Sequence, residues 1–378
     1  MAYTPVVDEP LLLIGEDVAN LLSRSSRLVF IAKGKYWVNN HAHILKPTNG
    51  LLEYYCELLE LYDFYIWVTG SAQPKLTSEN LMNIKVIVPP TSDQTAIANY
   101  LDTKTAEIDQ TIANKEALIN LFEEEKKALI NEAVTKGLPA EVAAKAGLNS
   151  KVPLKPSGID WLGEIPEHWE VKKLKYVVNK IGSGVTPKGG SDVYEIEGIP
   201  LLRSQNIYND GLRLDDVAYI TEEIHNSMKG SKLCDKDILL NITGASIGRC
   251  FYYDGDLNEA NVNQHVCIIR LMHETSNFHY FRFCIISEVI ISQISNSQTG
   301  SGREGLNFES LGNFYFPFPP LKEQTAIVQY IETETTNTNE KINLIKQEVE
   351  LLKEYRQALI FEAVTGKICV LDSPAKNN

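Results

Sequence analysis

The chain has 378 residues, of which 44 % are hydrophobic and 22 % charged, as is typical of a globular protein with two or three domains. Its net charge of −13 argues only weakly against nucleic-acid binding, because binding needs a local positive patch and not a positive total. The sequence has no secretory signal and no apolar run of about 18 residues, so we expect a cytoplasmic protein that does not span a membrane.

An internal duplication organises the chain from its first module onward. Residues 69–135 match residues 299–365 without a gap, at a constant offset of 230 positions. Thus Pro89-Pro90 returns as Pro319-Pro320, and Gln94-Thr95-Ala96-Ile97 returns as Gln324-Thr325-Ala326-Ile327. A period this long indicates a duplicated domain and not a solenoid array. A protein with two copies of one module is suited to a target with two similar faces.

Residues 91–137 are predicted to form a long helix. From Ser92 to Lys136 there is neither proline nor glycine, and apolar residues recur three, four or seven positions apart. At 1.5 Å per residue, such a helix is ~65 Å long. Its duplicate is predicted at 321–367. Each helix could pack on its own domain, but its length exceeds a small domain, which favours packing of the two helices as an antiparallel coiled coil.

Between the helices the sequence predicts a linker at 138–158 and a complete globular module at 159–320, and a short tail follows at 368–378. Short β-type runs occur at 193–196, 199–202, 237–242 and 266–270, and a helix is predicted at 278–292. We therefore expect an α+β fold with two tandem modules, 1–90 and 159–320. Each module is mostly β with a few helices and is followed by a long helix.

Several loops of the second module have side chains suited to DNA. The Gly-rich loop at 182–190 offers backbone amides, hydroxyls and a lysine for phosphate, whereas Arg can match guanine and Gln or Asn can match adenine. For each residue, a plain turn or a buried hydrogen bond is the alternative interpretation. The candidate DNA-binding residues are Ser183, Thr186, Lys188, Arg203, Gln205, Asn206, Ser246, Arg249, Asn263, Gln264, His265, Ser301 and Arg303, with Lys33, Lys35 and Asn40 in the first module.

Neither charge nor known catalytic motifs point to an enzyme. Residues 151–320 hold 16 Lys and Arg against 21 Asp and Glu, so a positive patch must come from spatial sorting. The chain lacks the P-loop and H-E-x-x-H motifs. Its six cysteines form no C-x-x-C pair, which indicates neither a zinc knuckle nor a disulfide framework. We expect a binding protein with no catalytic residues, metal site or cofactor of its own.

Three stretches carry a resemblance to a known family: residues 154–170, the helix start at 319–324 and the helix end at 363–366. Together with the duplication, they resemble the specificity (S) subunit of a type I restriction–modification system. The resemblance covers essentially the whole chain. It implies that 1–90 and 159–320 are target-recognition domains that read the two halves of a split site in double-stranded DNA, at a spacing set by the helices.

The resemblance also implies partner subunits. Methyltransferase (M) subunits would dock on this chain, bring S-adenosylmethionine and methylate adenine. Restriction (R) subunits would bring ATP- and Mg-dependent translocation and cleavage. The chain itself would remain a non-catalytic recognition subunit. The rival interpretation is an S-like coiled-coil scaffold that binds partner subunits without full DNA recognition, which the acidic charge favours.

The first module departs from the family pattern. It has some 90 residues before its helix, whereas the second has about 155. Residues 8–15 align loosely with 235–242 and residues 38–41 with 262–265, so that nothing answers to 160–234. The sequence predicts a first recognition domain truncated at its N-terminal side, with impaired readout through 1–75. The chain is then a truncated product, is completed by a second S chain or fragment, or pairs with another copy.

Overall fold

The computed structural model describes residues 7–15, 27–39, 41–69, 75–298 and 305–370. By its internal contacts the chain divides into a first unit, residues 1–120 and 342–378, and a second unit, residues 121–341. Both boundaries fall inside the long helices, so the first unit contains the start of the first long helix and the end of the second, and the second unit contains the other parts. In the described part of the chain, no helix is both long and apolar enough to cross a membrane.

The first unit is built on a three-stranded antiparallel sheet, in which the strand Leu11–Gly15 lies between Val29–Ala32 and Ala42–Leu45. Leu12 and Ile14 of the central strand pack with Cys56 and Leu59 of a helix on one face. The helices and strands of its described residues are β1 (Leu11–Gly15), β2 (Val29–Ala32), β3 (Ala42–Leu45), α1 (Leu52–Glu60), β4 (Val68–Thr69), β5 (Lys75–Leu76), α2 (Ser78–Met82) and the first part of α3 (Thr91–Lys136).

The second unit holds the larger core. Its described elements are α4 (Ala140–Lys145), β6 (Leu154–Pro156), β7 (Glu164–Pro166), β8 (Glu170–Lys173), β9 (Val178–Ser183), β10 (Ile199–Leu202), β11 (Ile207–Tyr208), β12 (Gly211–Leu212), β13 (Ala218–Ile220), α5 (Glu222–Ser227), β14 (Ile238–Asn241), β15 (Cys250–Tyr252), β16 (Asn261–Val262), β17 (Val266–Leu271), α6 (Phe278–Ile286), α7 (Glu288–Gln298), α8 (Phe308–Asn313), β18 (Tyr315–Phe318) and the first part of α9 (Leu321–Val364).

The central sheet of the second unit has the order β15-β14-β17-β9, and both of its faces are covered. Because successive side chains of a strand point to opposite faces, Ile238 and Leu240 pack with α6, while Leu239 packs with the second sheet, β13-β10-β16. The predicted α+β fold, with mostly β modules and long helices, is confirmed.

Strand pairing corrects the predicted alignment of the first module. Gly15 pairs with Ala42 as Asn241 pairs with Val266, and Leu12 faces a helix as Ile238 does. Strand β1 is therefore equivalent to β14 at an offset of 226 residues. This offset is one residue smaller than the offset in the predicted alignment of 8–15 with 235–242. A shift of one residue matters because it exchanges the two faces of a strand.

The two long helices form as predicted and pack against each other in each unit. In the first unit Arg356 donates to Asp109 across the pair at 2.8 Å, and in the second Lys126 donates to Asn339 at 3.0 Å. In the first contact, the C-terminal half of α9 meets the N-terminal half of α3, and in the second contact the N-terminal half of α9 meets the C-terminal half of α3. The two helices are therefore antiparallel. Gly137 and Gly366 end the helices with positive φ of 83° and 71°, the conformation that favours glycine at a helix C-terminus.

The duplicated glutamine motif fastens each helix start to its own unit. Gln94 is buried, donates to the Pro89 carbonyl at 2.8 Å and accepts from the Leu51 backbone N–H at 2.9 Å. Gln324 repeats both contacts, with Pro319 at 2.9 Å and the Asn277 N–H at 2.8 Å. The repeat of Gln94 at an offset of 230 thus preserves a backbone attachment.

In each unit the hydroxyl of a buried tyrosine contacts two backbone carbonyls, one just before the start of one long helix and one near the end of the other. The Tyr54 hydroxyl contacts the Ile87 carbonyl at 3.0 Å and the Val364 carbonyl, at the end of α9, at 3.2 Å. Tyr280 contacts the Pro317 carbonyl at 3.1 Å and the Val134 carbonyl of α3 at 3.2 Å. Each unit therefore binds the start of one long helix and the end of the other.

Some predicted boundaries differ from the structure. The helix predicted at 278–292 is two helices, because Ser287 adopts an extended conformation between α6 and α7. The predicted strand at 193–196 is not regular, and its first residue, Val193, is the last residue of a 3₁₀ turn, Gly190–Val193. The predicted linker at 138–158 contains α4 and β6.

Candidate nucleic-acid interface

Four polar loops of the second unit meet at one edge of its sheets. They follow or join β9, β10, β14 and β16, and we call them the loop cluster: residues 183–189, 203–206, 243–249 and 263–265. Strand register places them together, because Ser183 pairs with Cys267 and Asn241 with Val266 at the same edge. Asn241 adds a direct link by donating to the Ser204 carbonyl at 2.8 Å.

Gly184 allows the Gly-rich loop to touch its neighbour. A Cβ at this position would lie 1.6 Å from the carbonyl oxygen of Val262, a distance that no side chain can occupy. The Gly-rich loop therefore runs directly against the turn that carries Asn263, Gln264 and His265.

A chain of side-chain hydrogen bonds joins three of the four loops. Thr186 donates to Gln264 Oε1, and Gln264 Nε2 lies 2.9 Å from His265 Nε2. His265 Nδ1 lies 2.6 Å from Thr243 Oγ1. The predicted site residues Thr186, Gln264 and His265 are thus brought into contact, with Thr186 and Gln264 exposed.

The predicted asparagines of the cluster are buried and serve its backbone. Asn206 donates to the carbonyls of Arg213 and Asp216, at 2.7 and 3.2 Å, and accepts from the Arg203 N–H at 2.9 Å. Asn263 accepts from the His265 N–H at 3.1 Å. Both side chains fix loop shape, and a direct DNA contact by either remains a prediction.

Arg203 and Gln205 both reach Asp216. The Arg203 guanidinium donates to the Asp216 backbone carbonyl at 2.8 Å and lies over the Tyr194 ring at 5.7 Å. Gln205 is exposed and donates to the Asp216 carboxylate. Asp216 therefore neutralises part of the positive charge of Arg203, which was predicted to contact a base.

Arg249 lines a cleft of about 790 Å³ that residues of both long helices also line. Its guanidinium stacks on the Tyr208 ring at 4.5 Å, and Arg213 lies near the same ring at 5.0 Å. Arg282 lines the same cleft and lies over the Phe251 ring at 4.9 Å, and burial lowers its pKa. A guanidinium held on an aromatic ring keeps its donors in a fixed plane.

The remaining predicted residues divide into three groups. Lys188 is exposed in the Gly-rich loop, Ser183 donates to the Gly184 carbonyl at 3.0 Å, and Ser246 accepts from Asn241 at 3.2 Å.

Lys33 and Lys35 are exposed beyond the end of β2, where Ala32 pairs with Leu11. Residue 41 precedes β3 at the opposite edge of the sheet. The structure does not bring those lysines to the equivalent edge. The predictions for Asn40, Ser301 and Arg303 lie outside the described residues.

Tyr208, Arg213, Thr243 and Asp216 contact the predicted site residues but were not among them. The turn at 209–211 marks the hairpin that carries Tyr208 and Arg213, but only the fold shows that it adjoins Arg249. Among the described residues, no group of three His, Cys, Asp or Glu side chains is arranged to hold a metal.

Comparison with known sequences identifies the family. The profile of the type I restriction modification DNA specificity domain matches residues 18–120 and 166–351. The EcoBI specificity subunit of Escherichia coli is 27 % identical over 296 residues, covering 78 % of this chain and 60 % of that subunit. The MjaVIII specificity subunit of Methanocaldococcus jannaschii is 25 % identical over 304 residues, 80 % of this chain and 66 % of that subunit.

Solved structures share the fold. A chain from work on complex assembly and conformational transition of the type I R-M system superposes with a TM-score of 0.73 at 14 % identity, over 97 % of this chain and 85 % of that one. The HsdS subunit from Thermoanaerobacter tengcongensis gives 0.52 at 14 % identity, over 96 % and 82 %.

The chain belongs to the type I restriction–modification DNA specificity domain family, as the sequence resemblance predicted. The matches span less than two thirds of the length of the EcoBI and MjaVIII subunits.

Proposed function

We propose that this chain is the DNA-specificity subunit of a type I restriction–modification complex and that the loop cluster of the second unit reads DNA. The observation that carries the proposal is the convergence of four polar loops, with Lys188, Gln205 and Gln264 exposed together at one edge of the sheets. Backbone amides and Lys188 suit phosphate, while amide and guanidinium side chains suit base edges.

The wider assembly is part of the same proposal. The two modules read the two halves of a split site in double-stranded DNA, and the helix pair sets their spacing. M subunits that carry S-adenosylmethionine and R subunits that use ATP and Mg dock on this chain, which supplies specificity and no catalysis. The family membership and the fold shared with type I R-M chains support this assignment.

Salt-dependent DNA binding by the full chain tests the proposal. Each phosphate neutralised on B-DNA adds about −0.9 to the slope of log K against log salt. We expect Lys188→Ala to weaken binding to all sequences and to make the slope shallower by about one. Lys346→Ala, which removes the same charge from an exposed site of α9 in the first unit, should leave the slope unchanged.

Adenine-methylation mapping after co-expression with the methyltransferase subunit tests the bipartite target. A two-part methylated motif would show that both modules contribute. A motif with one half only would show that residues 151–320 read DNA alone. No salt-dependent DNA binding, together with retention of the methyltransferase subunit, would instead establish the coiled-coil scaffold, the alternative that the net charge of −13 favours.

A further inference from the structure

The Gln264 side chain is held at both ends of its amide while remaining exposed. Oε1 accepts from Thr186 of the Gly-rich loop, and Nε2 contacts His265 Nε2 at 2.9 Å. The backbone beneath is also fixed, because the Asn263 N–H donates to the Leu202 carbonyl at 3.1 Å and the Val266 N–H to the Asn263 carbonyl at 3.3 Å. A free glutamine on a surface turn would have none of these restraints.

The held amide of Gln264 still has hydrogen-bonding positions that neither Thr186 nor His265 uses. A glutamine amide has two acceptor lone pairs and two N–H donors. Thr186 occupies one lone pair, and His265 occupies one donor when its Nε2 is unprotonated and its Nδ1–H donates to Thr243. One acceptor and one donor therefore remain available to a ligand.

We propose that Gln264 reads an adenine in the major groove of the target DNA, with Thr186 and His265 as positioning residues. The inference rests on the proposed function and names one base within it. Adenine presents N7 as an acceptor beside the N6 amino donor, which one donor and one acceptor of an amide match together. Guanine presents two acceptors and therefore suits arginine instead.

The alternative role for this hydrogen-bond chain is structural, as a tie between three loops. The two roles differ in what they change. A structural tie affects binding to every sequence by the same factor, whereas a base contact changes the preference at one position of the site. A good bidentate contact discriminates against the wrong base by about 5- to 150-fold.

The test is selection of bound duplexes from a randomised DNA pool by the full chain, followed by sequencing. For the unsubstituted chain we expect a motif with an adenine position that Gln264→Ala and Gln264→Glu each lose by about 5-fold or more, while the other positions are kept. Thr186→Val should weaken the same preference, and Thr186→Ser, which keeps the hydroxyl, should restore it. Gln347→Glu, at an exposed site of α9, is the matched control and should leave the motif unchanged.

The outcomes separate the inference from the proposed function. A chain that binds DNA with the same motif after Gln264→Ala overturns the inference alone. Equal loss at every position also overturns it, because that result assigns Gln264 to a structural tie. Absence of salt-dependent DNA binding by the unsubstituted chain overturns the proposed function and the inference with it.

Discussion

The segments that precede the two long helices make the same attachments but have different neighbours. In the second unit Tyr315–Phe318 pairs with β8, and Phe316 is fully buried. In the first unit the corresponding residues 85–88 form no strand, and Ile87 and Val88 are 50 % and 55 % exposed. The tyrosine and glutamine contacts therefore do not need the β8 pairing, and the helix is fastened independently of it.

The two central sheets show a related difference. Phe30, Leu13 and Ile44 lie side by side across the first sheet as Phe251, Leu239 and Ile268 do across the second. The second trio packs with Leu202 and Val262 of the second sheet layer. Phe30 and Ile44 are each 48 % exposed, and the described residues of the first unit contain no such layer. We infer that the same apolar row stabilises the second unit more than the first.

Truncation of the central leucine in each trio should give the largest contrast. Leu239→Ala removes a fully buried side chain and should lower the free energy of unfolding of the second unit by about 4 kcal/mol. Leu13→Ala should cost about 2 kcal/mol, because its neighbours are half exposed and leave less of a cavity. Urea unfolding followed by thiol labelling measures both.

The cysteines give each unit its own signal in that experiment. Cys56 reports on the first unit and Cys250 on the second, and burial raises the pKa of these thiols to about 11 and about 12. Because both side chains are also buried, we expect them to be labelled when their unit opens, unlike exposed Cys234 and Cys369. Leu351→Ala, at an exposed helix position, is the control. Equal costs for Leu13→Ala and Leu239→Ala would show that the two sheet faces are equally covered.

Loss of the buried glutamines should have a smaller effect that also differs between units. Gln324→Ala leaves the Asn277 N–H and the Thr275 and Pro319 carbonyls without their partner, which should cost about 3 kcal/mol. Gln94→Ala breaks two such contacts and should cost about 2 kcal/mol. The thiol-labelling assay measures each cost, with exposed Gln329→Ala as control. A larger cost for Gln94→Ala would contradict the ranking by hydrogen bonds.

Breaking an ion pair between the helices should have the smallest effect. Asp109 is exposed and Arg356 is partly exposed in the first unit, so a double-mutant cycle with Asp109→Asn and Arg356→Gln should give a coupling of at most about 1 kcal/mol, reduced by salt. The coupling is read from urea midpoints at low and high salt. A coupling that persists at high salt would mean that these polar contacts, and not the apolar seam, hold the helices together.

The long helices were predictable because their signals are local. The sequence of each helix lacks proline and glycine, has apolar residues at helical spacing and is followed by a glycine. These signals predict the bounds of both helices to within a few residues of α3 and α9. The break at Ser287 was missed because an apolar run continues through it, and only the packing of α6 and α7 shows the change of direction.

The candidate site was predictable in residue type but not in arrangement. Polar loops after short strands led to the prediction of DNA contacts, which stays a prediction, and the contact between Thr186 and Gln264 joins residues 78 positions apart. The burial of Asn206 has no local signal either, since its partners lie on the following hairpin and beyond it. Spatial sorting by the sheets therefore decides which polar side chains stay available to a ligand.

The contact of Tyr54 with the end of α9 has a consequence for folding during synthesis. The Tyr54 hydroxyl contact with the Val364 carbonyl joins residues 310 positions apart, whereas residues 121–341 form a continuous stretch. The second unit can fold as it leaves the ribosome. In the first unit, the core around Tyr54 is completed only after the end of α9 has been synthesised.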